Sequence, residues 1–416
     1  MMNWKNWMRG SAVAVVLAGV GAEAATAPVM QSRKRGVCVN KLSAEDFAAL
    51  QPGVSWFYNW HYESADVRPG MDYLPMVWTG SADRIAGAKR YLDSKPKPRM
   101  LMGINEPNLS GQANLNPQQA AEVWKELSRV AKAKGVPLTG PHMAISAPGN
   151  EIVKGYDPIQ KKERNLSYMI DFLDAFFHYA GKDSTDGIGI HAYGNVGELK
   201  WAVGELHKKY GKPIWVSEFA EWGARDVDAE IRYMIEAVDF MERAPHVAGY
   251  AWFKERFDKG PNKMSLLDRQ SGKLTRLGEL YVHMPVHDAA VFYPVPGRVE
   301  AEADVRMNGV GLEPTRDTDG WFHVHKIEAG DWMEYQLNVA TAGTYTVSAR
   351  VAAGAPVALR VTQGGAELGR ITVAQPKGAQ QWETVTTTVR LAAGKQTIRV
   401  ECGSKDLAVN WLEFAR

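Results

Sequence analysis

Two glutamates follow short apolar segments of this sequence. Glu106 comes directly after the run 100–105, which Pro98 and Pro107 bound, and Glu218 lies near the end of the run 214–219. Such runs are too short for helices and are typical of buried strands. In parallel α/β proteins, active sites lie at the carboxyl ends of strands. Two carboxyl groups there could cleave a glycosidic bond: one protonates the leaving oxygen, and the other attacks the anomeric carbon or activates water.

The surrounding sequence alternates short apolar segments with amphipathic ones, where apolar residues recur at helical spacing. Asn116 and Asp226 are predicted to start helices, and Gly135 and Gly211 to end them. The predicted strands are 36–40, 54–60, 73–78, 100–105, 138–144, 187–193, 214–219 and 247–253. Eight strand–helix units in about 250 residues predict a (β/α)8 TIM barrel within an α/β fold. A doubly wound open sheet is the competing fold, but no glycine-rich phosphate loop follows the first strand.

Counting the strands makes Glu106 the end of the fourth and Glu218 the end of the seventh. All strand ends of an eight-stranded barrel open at one mouth, so the two carboxyl groups would face each other. A separation of about 5–5.5 Å would indicate hydrolysis with retention through a covalent intermediate. A single strand-end glutamate is more often a salt bridge or a helix cap, so the hypothesis depends on the pair.

Other polar and aromatic residues stand at the same predicted edge. Asn105 is expected to bond the sugar 2-hydroxyl, and His191 or Tyr193 to bond Glu218 and keep it ionised. The candidate substrate-binding residues are Asn105, Trp60, His142, His191, Tyr193, Trp222 and Trp252.

Several other classes of protein are disfavoured. The net charge is +2 and no basic cluster extends beyond 33–35, which argues against a nucleic-acid partner. No Gly-x-Ser-x-Gly nucleophile motif is present, which argues against a serine hydrolase. Cys38 and Cys402 are expected to be buried free thiols, with a bridge between the two domains as the alternative.

The amino terminus has the pattern of a secretory signal peptide over residues 1–27. Lys5 and Arg9 precede the apolar run 12–20, and two small-x-small cleavage patterns follow it. That run is much shorter than the ~20 residues of a membrane span. The protein is therefore expected to be secreted, extracellular or periplasmic, without a membrane partner.

The sequence pattern changes after residue 288. Residues 289–297 contain two prolines and a glycine and are interpreted as a linker. From 298 to 416, short alternating segments are separated by Gly, Asp and Pro clusters, which predicts an all-β sandwich of the jelly-roll kind. The predicted domains are thus a barrel over 33–288 and a sandwich over 298–416.

The barrel resembles glycoside hydrolase family 128. The matching segments are Trp56-Phe57-Tyr58-Asn59-Trp60, Gly103-Ile104-Asn105-Glu106-Pro107, His191-Ala192-Tyr193 and Ser217-Glu218-Phe219. The resemblance spans about residues 36–283. It implies Glu106 as acid/base, Glu218 as nucleophile, β-1,3-glucan as substrate and no cofactor for catalysis.

The sandwich resembles the family 6 carbohydrate-binding modules. The matching segments are 299–303, 327–332, 342–347 and 410–414. The resemblance implies a structural Ca²⁺ with Glu300, Glu302 and Asn410 as its ligands, and oxygen ligands suit that cation. The sequence departs from the family where sugar is bound: Lys326 replaces an aromatic residue, 378–381 lacks one, and Ala408 replaces an amide. Trp321 is the remaining candidate for a sugar contact.

The leading hypothesis is thus a secreted, retaining endo-β-1,3-glucanase, expected to be monomeric, with a polysaccharide as its partner. One alternative is a relative that cleaves β-1,4- or β-1,6-linked glycans. Another is a glucan-binding wall protein without hydrolysis, although such a protein has no need for two opposed carboxyl groups.

Overall fold

The computed structural model describes residues 30–94, 97–257, 262–403 and 405–416. They form two compact units, an amino-terminal unit, Gln31–Val282, and a carboxy-terminal unit, His283–Arg416. The predicted signal peptide lies outside the described residues. Within the described ranges, no helix has the length and apolar character needed to cross a membrane.

The amino-terminal unit contains seven α-helices and eleven strands within the described residues. The strands are β1 Ser32–Cys38, β2 Val54–Tyr58, β3 Asp72–Tyr73, β4 Met76–Val77, β5 Leu101–Gly103, β6 Leu138–Ala144, β7 Lys154–Asp157, β8 Lys162–Asn165, β9 Gly187–Ala192, β10 Ile214–Phe219 and β11 Val247–Trp252. The helices are α1 Ala44–Leu50, α2 Ala82–Ser94, α3 Pro117–Lys134, α4 Met169–Ala180, α5 Val196–Tyr210, α6 Val227–Arg243 and α7 Arg276–His283.

Nine of these strands form one parallel sheet in the order β3-β2-β1-β11-β10-β9-β6-β5-β4. Adjacent strands are parallel because a helix or long loop returns the chain to the same end of the sheet each time. The predicted fourth and seventh strands are β5 and β10. The hairpin β7–β8, which the sequence pattern did not predict, lies between β6 and α4.

The predicted third strand differs from the observed structure. Residues 73–78 were expected to form one strand, but the chain forms two short strands, β3 and β4. Pro75 lies between them and has no N–H to donate, which explains the interruption. The Leu74 N–H donates to Phe57 O of β2 at 2.9 Å, and the Met102 N–H of β5 donates to Pro75 O at 2.9 Å.

The predicted helix ends agree with the structure. Asn116 caps α3 through a hydrogen bond from the Gln119 N–H, and Asp226 caps α6 in the same way from Ala229. Gly135 and Gly211 end α3 and α5 with φ values of 58° and 66°, a left-handed conformation that suits glycine.

Large tryptophans in the amino-terminal unit pack against glycines of neighbouring strands. The rings of Trp56 and Trp215 are buried and meet edge to face, with centroids 5.7 Å apart. A Cβ on Gly36 would lie 2.3 Å from Trp56, and one on Gly249 would lie 2.2 Å from Trp215. These glycines are therefore required by ring volume rather than by backbone conformation.

The carboxy-terminal unit is a pair of mainly antiparallel sheets. Its strands are β12 Tyr293–Val295, β13 Gly297–Glu300, β14 Arg306–Asn308, β15 Gly311–Pro314, β16 Phe322–His325, β17 Trp332–Val339, β18 Gly343–Ala353, β19 Val357–Gln363, β20 Ala366–Val373, β21 Glu383–Leu391, β22 Gly394–Cys402 and β23 Leu407–Ala415. One sheet has the order β12-β17-β22-β19-β20, with β14 on β17. The other has the order β15-β16-β23-β18-β21, with β13 on β23.

The core of the carboxy-terminal unit lies between alternate residues of the two sheets, including Tyr335, Tyr345 and Phe414. The prediction of a mixed α/β unit with parallel strands, followed by an all-β unit, is confirmed. Cys38 and Cys402 are buried free thiols.

We predict opposite effects for two glycine-to-alanine substitutions. Gly249→Ala should destabilise the amino-terminal unit by about 1–3 kcal/mol, because the added methyl overlaps the Trp215 ring. Gly204→Ala on α5, where a Cβ meets nothing within 4 Å, should stabilise it by about 0.5–1 kcal/mol through helix propensity. Urea unfolding measures both, and a Gly249→Ala variant as stable as the parent would contradict the packing argument.

Candidate active site

The backbone that carries Glu106 leaves the regular strand conformation at its carboxyl end. Ile104 and Glu106 have φ values of 41° and 43°, a region that non-glycine residues rarely adopt. Hydrogen bonds hold this conformation: Ile104 N–H donates to Val77 O, and Glu106 N–H donates to His142 O at 2.7 Å. Strained backbone is typical of functional sites, where the surrounding structure offsets its cost of about 1–3 kcal/mol per residue.

Glu106 and Glu218 meet at one buried histidine. His191 Nδ1 lies 2.8 Å from Glu106 Oε1 and 3.4 Å from Glu218 Oε2. Both carboxyl groups are buried, and one oxygen of Glu106 lies within 4.8 Å of one oxygen of Glu218. The structure therefore brings together the two glutamates that the sequence pattern placed on different strands.

Glu218 receives three further hydrogen bonds. Its Oε1 accepts from the Tyr58 hydroxyl at 2.9 Å and from the Trp60 indole N–H at 2.7 Å, and its Oε2 accepts from the Tyr193 hydroxyl. Burial and the charge of Glu218 raise the pKa of Tyr193 well above its ordinary value, so its hydroxyl stays protonated and can donate. Donors of this kind favour the ionised form of a carboxyl group.

His191 carries positive charge more readily than a free histidine. Burial alone would lower the pKa of its imidazole, but the carboxylates of Glu218 and Glu106 outweigh burial, and the pKa lies above its ordinary value of 6.5. The imidazolium form therefore persists to higher pH here. It lowers the repulsion between two carboxylates that would otherwise be buried side by side.

The glutamates open into a cleft of about 860 Å³. Aromatic rings line much of it, namely Trp60, Trp78, Tyr193, Trp222 and Phe253. Among the described residues, its lining carries four carboxyl groups, those of Glu106, Glu151, Glu198 and Glu218, and one lysine, Lys254. A cleft with aromatic walls and several polar groups has the dimensions and chemistry of a small-molecule or oligomer site.

Five of the predicted substrate-binding residues line the cleft, namely Asn105, Trp60, His191, Tyr193 and Trp222. Trp60 was expected to contact sugar, but its indole N–H donates to Glu218, so it also holds a carboxylate in place. Asn105 is buried, and its Nδ2 donates to Gln112 Oε1 at 3.4 Å.

The prediction that Trp252 contacts substrate is wrong. Its ring is fully buried against Phe219, and its indole N–H donates to Met264 O at 2.7 Å. The next residue, Phe253, lines the cleft instead. Trp252 is the last residue of β11 and faces the core, and Phe253 follows the strand and faces the cleft.

The prediction that His142 contacts substrate is also wrong. The side chain is fully buried, and its Nδ1 lies 2.7 Å from the Ser217 hydroxyl. Burial and the neighbouring His191 lower the pKa of His142 to about 3, so the ring is neutral. It supports the residue before Glu218 rather than reaching the cleft.

Sequence reasoning missed several residues that line the cleft. Trp78 ends the predicted third strand and Phe253 the eighth, so strand-end position could have identified both. Asn40 ends the predicted first strand and could have been identified in the same way. Gln112, Glu151, Glu198 and Lys254 also line the cleft. They follow no motif, and only the folded chain brings them there.

The cluster of Glu106, His191 and Glu218 also has the residue types of a metal site, since one ligand atom of each lies within 4.8 Å of the others. A metal ion would need the lone pairs that these carboxylates already offer to protein donors. Both oxygens of Glu218 accept hydrogen bonds, and Glu106 Oε1 is bonded to His191. The donor arrangement therefore suits free carboxylates better than metal ligands.

Of the predicted calcium ligands, Glu300 ends β13 and Asn410 lies on the adjacent strand β23. Glu302 follows β13 by two residues, and the Ala301 N–H between the two glutamates donates to Asn410 O at 2.9 Å. Within the described chain, Glu302 Oε2 and Asn410 Oδ1 are buried and accept no hydrogen bond. Burial, together with Glu300 and Asp304, raises the pKa of Glu302 well above its ordinary value. Glu300 also pairs with Arg298, whose Nε lies 3.1 Å from Glu300 Oε1. Buried oxygens without donors fit a hard cation such as Ca²⁺.

The tryptophans of the carboxy-terminal unit are partly covered. Arg399 lies over the ring of Trp332 at 3.9 Å, and Arg298 over that of Trp411 at 4.5 Å. Trp321 remains 39% exposed.

Different known protein families match the amino-terminal and the carboxy-terminal units. The family model described as glycosyl hydrolase catalytic core matches residues 36–281. The chain is also similar to a family 128, subgroup II, endo-β-1,3-glucanase from Pseudomonas viridiflava. The sequence identity is 34% and the TM-score 0.54, over 62% of this chain and 99% of that one. This chain belongs to glycoside hydrolase family 128.

A second family 128 endo-β-1,3-glucanase, from Sorangium cellulosum, is also 34% identical. Its TM-score is 0.53, over 61% of this chain and all of that one (100%). The model of the family 6 carbohydrate-binding modules matches residues 300–416. The alkali-sensitive linkage protein 1 of Schizosaccharomyces pombe is 24% identical over 243 residues, and the match spans 56% of this chain and 41% of that protein. The chain is thus a family 128 glycoside hydrolase with a family 6 module.

We predict that Trp60→Phe lowers kcat about tenfold to a hundredfold, with a smaller change in KM. The substitution keeps an aromatic ring but removes the donor to Glu218, and a hydrogen bond to a charged group contributes about 1.5–3 kcal/mol. Steady-state kinetics test this. Trp78→Phe is the matched control, because Trp78 also lines the cleft. Within the described chain, the donors found for Glu218 are Tyr58, Trp60 and Tyr193. Equal losses of kcat in the two variants would contradict the assignment.

Proposed function

We propose that this glycoside hydrolase is an exported endo-β-1,3-glucanase that cleaves its substrate with retention of the anomeric configuration. The observation that carries the proposal is the close approach of the two carboxyl groups, with oxygens of Glu106 and Glu218 within 4.8 Å. Retaining enzymes hold their carboxyl groups about 5–5.5 Å apart, whereas inverting enzymes leave about 6.5–9.5 Å for a water molecule. The observed spacing favours direct attack by a carboxylate.

The environments of the two glutamates favour different roles. Glu218 accepts hydrogen bonds from Tyr58, Trp60 and Tyr193, which stabilise its anion and suit a nucleophile. In the described chain, the side-chain donor found for Glu106 is His191. The glutamate with fewer donors, Glu106, is therefore assigned the role of general acid.

The reaction then proceeds in two displacements. A Glu218 oxygen attacks the anomeric carbon while Glu106 transfers its proton to the departing glycosidic oxygen, which leaves a covalent glycosyl ester on Glu218. Glu106, now ionised, takes a proton from a water molecule, and the resulting hydroxide equivalent displaces Glu218 from the anomeric carbon. Glu106 ends protonated and Glu218 ionised, as at the start.

The substrate class rests on the relatives and on the charge of the cleft. Both of the 34% identical enzymes are endo-β-1,3-glucanases. Among the described residues that line the cleft, four carboxyl groups outnumber one lysine and would repel an anionic polysaccharide, so a neutral glucan suits the cleft.

Two further features belong to the proposal. Backbone groups of the segment 72–77 form hydrogen bonds with both β2 and β5. These bonds support a sheet that closes into a (β/α)8 barrel. The charged and apolar pattern of residues 1–27 supports export through a signal peptide.

Incubation with laminarin tests the activity, with protein collected outside the cytoplasm of the expressing cells so that export is tested too. We expect new reducing ends within the polymer, and NMR should show the β-anomer first. Glu218→Ala should lower kcat at least about a thousandfold, and azide should partly restore cleavage by attacking in place of the carboxylate. Glu151→Ala, which removes another carboxyl group of the same cleft, should not respond to azide. Absence of cleavage of any β-1,3-glucan at high enzyme load would refute the proposal.

We also propose that Glu300, Glu302 and Asn410 hold a structural Ca²⁺, which would supply positive charge to the buried Glu302 carboxyl group. Calcium at about a hundred times its dissociation constant should stabilise the folded unit by about 2.7 kcal/mol. Thermal unfolding of the full chain in Ca²⁺ and in EGTA measures the shift, and Glu302→Gln should abolish it. Identical unfolding temperatures in the two buffers would contradict the site.

A further inference from the structure

We propose that Tyr168 and Trp201 form a second contact surface for the glucan chain, outside the catalytic cleft. We call these two residues the rim pair. They are two of the large apolar residues that the described chain exposes, at 37% and 42%. The ring planes lie within 23° of parallel, with centroids 6.5 Å apart. At that separation the rings are offset, so each keeps part of its face free for a ligand.

The rim pair continues the wall of the catalytic cleft. The residue after Tyr168, Met169, donates its N–H to Ile145 O at 3.1 Å, and Ile145 lines the cleft. Trp201 lies three residues after Glu198 on α5, and Glu198 also lines the cleft. Residues three apart on a helix are neighbours on its surface. Each residue of the rim pair is therefore close to a residue that lines the cleft.

The surroundings of the rim pair favour a hydroxylated ligand. Asp171 lies three residues after Tyr168, the first residue before α4, and Glu205 lies four residues after Trp201 on α5, so each carboxyl group is a helix neighbour of one ring. Arg164 Nη1 donates to Asp171 Oδ2 at 2.9 Å and fixes its position. Flat apolar faces bordered by fixed hydrogen-bond acceptors match a sugar ring, whose faces carry C–H groups and whose edges carry hydroxyls.

This inference rests on the proposed function and extends it to chain length. A long glucan that fills the cleft would also reach the rim pair, whereas a short oligosaccharide in the cleft would not. A contact linked to the main site acts at high effective concentration, so it adds affinity for long chains alone. The rim pair would thus make the enzyme prefer polymeric glucan.

The test compares Tyr168→Ala/Trp201→Ala with its parent, both as full chains carrying Glu218→Gln to prevent cleavage. Titration calorimetry measures binding of laminarin and of laminaritetraose. We expect affinity for laminarin to fall about tenfold and affinity for the tetrasaccharide to stay within twofold. In the active background, KM for laminarin should rise while kcat on the tetrasaccharide is unchanged.

Tyr156→Ala/Ile159→Ala is the matched control. These residues are 44% and 59% exposed and lie on the β7–β8 hairpin and its turn. The control should bind both sugars as the parent does, and unfolding temperatures of all variants confirm that they are folded.

Three results would overturn the inference. Unchanged laminarin affinity would show that the rim pair does not contact glucan. Equal losses for both sugars would place the effect in the cleft. A changed molecular mass with unchanged glucan affinity would assign the rim pair to self-association. A parent that neither binds nor cleaves any β-1,3-glucan would instead refute the proposed function, and the inference with it.

Discussion

The active site depends on one imidazole ring between two buried carboxyl groups. Oxygens of Glu106 and Glu218 lie within 4.8 Å of each other, and both side chains are largely removed from water. Two ionised carboxylates at that distance repel strongly where the surroundings are poorly polarisable. The Nδ1 of His191 lies within 3.4 Å of an oxygen of each carboxyl group, so a single positive charge reduces the repulsion on both sides. His191 thereby stabilises the close spacing of the two carboxyl groups.

The remaining contacts give Glu106 and Glu218 different chemical environments. Tyr58, Trp60 and Tyr193 all donate to Glu218, and their hydroxyl and indole groups cannot be deprotonated under ordinary conditions. Glu106 is placed by strained backbone instead. The left-handed conformations of Ile104 and Glu106 are held by hydrogen bonds to neighbouring strands, so the sheet offsets the local cost. Trp60 also has a positive φ of 58°, and its strain belongs to the same site.

The carboxy-terminal unit also buries neighbouring carboxyl groups, but other groups compensate for their charge. Glu302 is buried close to Glu300 and Asp304, and part of the compensating charge comes from Arg298 on Glu300. Within the described residues, one buried oxygen of Glu302 and one of Asn410 accept no hydrogen bond, which fits the proposed cation. In one unit a titratable ring compensates for paired carboxyl groups and permits proton transfer. In the other, a fixed ion would compensate for them and serve only stability.

Features that depend on local pattern were predictable from the amino-acid sequence. Apolar runs of strand length placed Glu106 and Glu218 at strand ends, because a buried strand needs several consecutive apolar residues and a polar residue ends it. Asn116 and Gly135 predicted the ends of α3, since capping depends on residues within one helical turn. The change to alternating segments after residue 288 predicted the all-β unit for the same reason.

The direction in which individual side chains face depends on tertiary packing and was not predictable from the sequence. Trp60 donates to Glu218, Trp252 turns into the core while Phe253 lines the cleft, and His142 lies beneath Ser217. These orientations depend on strand register, which shifts between Val216 and Phe219 of β10, and on the irregular backbone that follows each strand. Register and irregular backbone are set by the packing of distant segments against each other, so no local pattern contains them.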